Sequence, residues 1–172
     1  MFKKKNISEE LKSQAIGLGL CEQWTNAWGK PNMQELINKF LHGIDFCIKH
    51  DWPSNEYIKK QVDKELLHKN NIYIDEDVQR RNARQIVVIQ GECTGTLLYD
   101  GLTTADIYVR HNSDITIDCS RMSKVFISVY DNAKIRVIQK DMASVYIYKH
   151  SKDCLIDTEG EVMQREFKPK ND

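Results

Sequence analysis

Three polar residues stand at twenty-residue intervals in the C-terminal half of this 172-residue chain: His111, Asp131 and Ser151. Stacked in one column they would offer a nucleophile, a base and an acid, the components of acyl transfer. Their order argues against that use. A catalytic serine must touch the histidine directly, with the acid on the histidine's far side, and here Asp131 stands between the two. Asp, Ser, Asn and His are also residues that turns accept readily. The neighbours Arg110, Asn112, Lys149, His150 and Lys152 make the same edge polar and mildly basic. An anion or sugar site built from Arg110, His111, Asp131 and His150 is therefore the chemistry that suits this column.

Other constellations carry less. Cys47 and His50 lie one helical turn apart with His42 nearby, a spacing that permits a metal. Cys47 belongs to an apolar helix face, however, and His50 ends that helix. The carboxylate pairs Asp114/Asp118 and Asp153/Asp157 have no complementary base or acid. No phosphate-binding glycine loop and no six-residue acyltransferase repeat is present. The chain reads as a non-enzyme without cofactor or metal.

The aromatic residues give a sharper signal. Tyr108, Phe126 and Tyr146 each follow an apolar residue of a strand-like segment. If Ile107, Val125 and Val145 point inward, the three rings point outward, because side chains alternate along a strand. With Tyr148 they would form an apolar stripe, the usual mark of a contact surface. The competing expectation is that the N-terminal helices cover it.

These residues are positioned by a repeat of about ten residues. Copies begin at Gly95, Ala105, Ser113, Ser123, Ala133, Ala143 and Asp153. Each starts with a small residue, suited to a corner. The third positions are Leu97, Ile107, Ile115, Val125, Ile135, Val145 and Leu155, and the fifth run from Tyr99 to Asp157. Apolar residues two apart, dense β-branching and no proline predict strands from Ile86 to about Val162. A fixed period implies stacked, near-equivalent units. Self-similarity is better at twenty residues than at ten: position four alternates between Tyr108, Phe126, Tyr146 and Thr116, Arg136, Ile156. That alternation predicts a β-solenoid with two unlike half-coils of about ten residues, with an antiparallel β-meander as the alternative.

The first 71 residues carry a helical period. Ser8 is placed to cap a first helix bearing Leu11, Ile16, Leu20, Trp24 and Trp28, weakened by Gly17 and Gly19. Asn32 with Glu35 forms a reciprocal cap for a second. Its apolar face is Leu36, Ile37, Phe40, Leu41, Ile44 and Cys47, and Asp51-Trp52-Pro53 stops it. Ser54 caps a third, bearing Tyr57, Ile58, Val62, Leu66 and Leu67. The predicted organisation is α+β: a three-helix cap or docking region over 1–71, a connector over 72–85, the solenoid over 86–162 and a charged tail over 163–172. A core of three short helices is marginal alone, so docking against the sheet region is expected.

Lys plus Arg and Asp plus Glu balance at 25 each, so there is no global basic field for nucleic acid. No apolar run reaches the roughly 20 residues of a membrane span. The opening Met1-Phe2-Lys3-Lys4-Lys5 is followed by polar sequence, unlike a secretion signal. Five scattered cysteines, without a Cys-x-x-Cys pair, suit a reducing compartment.

The stretch Gly43-Ile44-Asp45-Phe46-Cys47-Ile48-Lys49-His50-Asp51-Trp52-Pro53-Ser54, with the repeats through His150, resembles an uncharacterised family of small bacterial and bacteriophage-encoded proteins. The resemblance covers most of the chain and transfers no catalytic residue. It implies a phage or prophage setting, and so the host cytoplasm or the virion. The expected function is a structural or protein-interaction component, with a protein partner or self-association into a homo-oligomer. The rival expectation is a carbohydrate- or anion-binding solenoid.

Overall fold

A computed structural model describes residues 6–167; the lysine-rich opening Met1–Lys5 and the last five residues of the tail lie outside them. The described chain forms two compact units, meeting in sequence between Val62 and Asp63.

The first unit holds α1 (Ile7–Gly17), α2 (Glu22–Asn26), α3 (Met33–His42), α4 (Ile44–His50) and α5 (Asn55–Gln61); α6 (Lys64–Lys69) opens the second. Six helices thus replace the expected three, and each expected helix is cut once. The first is cut after Gly17, where Gly19 has φ +94°. The second is cut at Gly43, which ends α3 and precedes α4. The third is cut at Val62, whose backbone is extended (φ −122°, ψ 130°). The first break falls at the glycines that weaken that helix; periodicity is blind to interruptions as short as Gly43 or Val62–Asp63, because the next helix can resume near the same face. The first cap is Asn6, whose side chain accepts from the Ser8 N–H, and not Ser8 itself. The Asn32–Glu35 reciprocal cap forms, with bonds of 2.9 and 2.8 Å. Ser54 caps α5 through the Tyr57 N–H. Leu11, Ala15 and Trp28 centre the packing of this unit, with Leu20, Leu36, Phe46, Trp52 and Tyr57 around them. The indole N–H groups of Trp28 and Trp52 donate to Ser8 and Gln14, so both rings bury apolar area without orphaning their polar edge.

The second unit is a β-solenoid of about five turns. Its strands are β1 (Ile72–Ile74), β2 (Asp77–Arg81), β3 (Gln85–Gln90), β4 (Thr94–Tyr99), β5 (Thr104–Val109), β6 (Asp114–Cys119), β7 (Lys124–Val129), β8 (Lys134–Gln139), β9 (Ser144–Lys149), β10 (Leu155–Glu159) and β11 (Met163–Glu166). Odd-numbered strands make one sheet, β1-β3-β5-β7-β9-β11, and even-numbered strands the other, β10-β8-β6-β4-β2. All the described pairings are parallel, which removes the meander. The stretch 72–85, read from sequence as a connector, carries β1 and β2, and the tail carries β11. The apolar run Ile72-Tyr73-Ile74 is readable as a short strand, whereas β2 and β11 were obscured because coil length varies at the ends. Partners lie twenty residues apart in the middle, as Thr104↔Lys124↔Ser144, but sixteen apart for Ile72↔Val88 and seventeen for Tyr146↔Met163.

Inside runs one apolar core. Ile107, Ile127 and Ile147 stack in one sheet and Leu97, Ile117 and Val137 in the other, all fully buried. Each such side chain contributes roughly 1.5–3 kcal/mol by leaving water. Small residues fill the corners: Ser113, Ser123 and Ala133 are buried at the turns before β6, β7 and β8.

Candidate interaction face and turn columns

The register sorts the aromatic residues into two rows instead of one stripe. Asp106, Phe126, Tyr146 and Met163 share a row on successive odd-numbered strands; Tyr108, Ser128, Tyr148 and Arg165 share the next. Tyr108 therefore does not stack on Phe126. The cause is a two-residue slip in the first copies of the repeat. Gly95 and Ala105 look like corner residues, yet they pair with Ile115 and Val125 inside strands. Gly95 is small for a different reason: a Cβ there would meet the Val78 carbonyl oxygen at 2.1 Å, and its φ is +122°. At the far end the repeat slips by one, since β10 pairs Leu155 with Lys134, at a spacing of twenty-one. Leu155 and Asp157, expected inward, are exposed, and Ile156 takes the inward place beside Ile135.

All four predicted face residues, Tyr108, Phe126, Tyr146 and Tyr148, are half-buried. The Phe126 and Tyr146 rings stack at 4.9 Å and 15°, a direct result of parallel in-register pairing. Lys124 Nζ lies 5.4 Å from the Phe126 ring centre and 5.8 Å from that of Tyr146, a cation on a π surface. In the other row the middle rung is Ser128, and a hollow of about 250 Å³ opens there, lined by Asp106, Ile107, Tyr108, Phe126, Ser128 and Tyr148. A second hollow, about 260 Å³, is lined by Lys124, Phe126, Tyr146, Ile147, Tyr148, Met163 and Arg165. A third aromatic row, missed from sequence, runs Tyr130, His150, Phe167 with ring separations of 4.2 and 4.7 Å. Its signal was available in the twenty-residue spacing of Tyr130 and His150. The outward rows of the even-numbered sheet differ in kind: Thr96, Thr116, Arg136 and Asp157 in one, Leu98, Asp118, Ile138 and Glu159 in the next.

The turn column exists and is engaged in backbone work. His111 has φ 59° and its Nδ1 accepts the Gly91 N–H at 2.9 Å. The Asp131 carboxylate accepts the His111 backbone N–H at 2.9 Å. Ser151 Oγ accepts from its own turn, at Asp153 N–H. The opposite corner repeats the device, with Asp141 accepting the Arg121 N–H at 3.0 Å. His111, Asp131 and Asp141 thus each satisfy a backbone donor of the coil before, and Ser151 one of its own turn, at corners where the sheet ladder offers no partner. Arg110 is buried beside Gln90, and His150 lies between the rings of Tyr130 and Phe167. The four residues of the expected anion or sugar site therefore share one edge, with the contacts just described made within the solenoid.

The remaining candidates are dispersed. Cys47 is buried, His50 packs its ring against Phe46, and no cluster of three metal-ligating side chains occurs among the described residues. Asp118 meets Lys140 at 3.1 Å, and Asp157 faces Arg136 at 3.9 Å. Burial pushes the Cys93 and Cys154 thiols up; burial and then the Asp118 charge push Cys119 to about 12, so burial favours the thiol over the thiolate at all three. Burial likewise raises the Tyr99 phenol. Among the described residues no helix is long and apolar enough to cross a membrane. No family model, curated protein or solved structure matches the chain.

Proposed function

We infer that this protein is a non-enzymatic interaction component that uses the outward face of its odd-numbered sheet to hold a protein partner. The observation that carries this reading is the stacked Phe126–Tyr146 pair under Lys124, flanked by Tyr108 and Tyr148 on a rigid parallel sheet. Aromatic side chains that keep a half-exposed face supply large contact area at small loss of rotamer freedom, which is why they anchor interfaces. The matching rows of the other sheet mix hydroxyl, charged and aliphatic side chains and carry no aromatic ring, so the asymmetry between faces supports one contact face. The phage setting, as a virion or accessory protein, rests on the family resemblance alone.

The test is a double substitution, Phe126→Ser with Tyr146→Ser, read by native mass and by partner capture from phage-infected host cells. Assembly or capture should be lost while the melting temperature falls by only a few degrees, in keeping with about 1 kcal/mol for an aromatic pair. Loss of the fold would mean that these rings are core, and unchanged assembly would remove the face from consideration.

A further inference from the structure

The row Tyr108–Ser128–Tyr148 is an aromatic ladder with its middle rung missing. Adjacent strands are about 4.8 Å apart, so rings two strands apart stand roughly 9.6 Å from each other. A planar group entering halfway would lie roughly 4.8 Å from each ring, close to the 4.9 Å already adopted by Phe126 and Tyr146 in the next row. Ser128 leaves that space because its side chain is short, and the hollow of about 250 Å³ is the result.

The hollow has a sign. The Asp106 carboxylate lines it, and none of the described residues gives that carboxylate a hydrogen bond or an ion pair. A planar group between two phenol faces, beside a carboxylate, is best matched by a planar cation. Guanidinium fits all three requirements: it stacks on aromatic faces, carries a permanent charge and meets a carboxylate with two parallel N–H bonds. An ammonium has the charge and lacks the plane. The solenoid already sets cations on its own rings, Lys124 over Phe126 and Arg80 over Tyr73 at 5.5 Å. We propose that the gap between Tyr108 and Tyr148 is a socket for one arginine side chain of a protein partner, with Asp106 as its counter-ion. This deepens the interaction reading and rests on it.

The full chain is titrated with N-acetyl-arginine amide, and the ring resonances of Tyr108 and Tyr148 are followed by NMR. Saturable shifts of both rings are expected, weaker by roughly five-fold or more with the lysine counterpart. Asp106→Asn should weaken the arginine response, and Ser128→Tyr should abolish it while raising the melting temperature, because it completes the ladder. Ser128→Leu fills the same rung if the tyrosine variant fails to fold. The proposal is overturned if arginine shifts neither ring, if filling the rung leaves the response intact, or if adenosine or indole-acetamide binds more tightly than arginine. Because Phe126 and Tyr146 are untouched, loss of the socket leaves the result of the Phe126/Tyr146 assembly test standing, and the two failures are separable.

Discussion

Arg121 shows how single residues hold the corners. Its φ of 55° is unusual for a residue with a Cβ, and its N–H would point out of the ladder without the Asp141 carboxylate. His111, Asp131 and Asp141 share that left-handed backbone, with φ between 54° and 59°. A short polar side chain at these positions tolerates the conformation and also caps the coil before it. Replacing Asp141 with Ala should therefore destabilise the solenoid by about 1 kcal/mol, read as a lower urea midpoint at unchanged slope. Asp141→Asn keeps an acceptor oxygen and should recover most of that loss. The polar column was legible in the sequence; its use was not, because identical residues serve turns, caps and catalysis, and only the bonding partner separates them.

At the level of elements, α6 and the β1–β2 turn are clipped together by one carboxylate. Glu76 accepts from His68 Nε2 at 2.8 Å and from Lys64 at 3.0 Å. Burial alone would raise its pKa, but the bonds to His68 and Lys64 outweigh that and hold it below the ordinary carboxylate range. A carboxyl depressed in the folded state adds stability that is present above the ordinary carboxylate range and is lost as pH falls through the folded pKa. Glu76→Gln should accordingly flatten the fall in stability below about pH 5, measured by denaturant midpoints across that range, and leave the neutral arm displaced but parallel. The strands were readable because β6 to β9 keep a strict spacing. The first copies were not, since Gly95 and Ala105 imitate corner residues while sitting in strands, and that two-residue slip hid that Asp106 heads the Phe126–Tyr146 row and that Ser128 stands between Tyr108 and Tyr148. The helices were placed on the right stretches, and their breaks at Gly43 and Val62 escaped because amphipathic periodicity continues across them.

For the molecule as a whole, thiol chemistry offers a direct check on packing. Cys21 is exposed, whereas Cys47, Cys93, Cys119 and Cys154 are buried. One thiol per chain should react quickly with an aromatic disulfide reagent under native conditions, and all five after unfolding. A second fast thiol would mean that one of the two units opens on the timescale of the reaction. The parallel register has a further bearing, on how the solenoid reaches its native state. Every paired strand finds its neighbour between sixteen and twenty-one residues along the chain. All-β sandwiches fold slowly because their pairings span much of the sequence; here the mean contact separation stays near one coil, however many coils are stacked. Each completed coil presents a template edge to the next, so loop closure is a small, repeated entropy loss and assembly can spread outward from any nucleated pair.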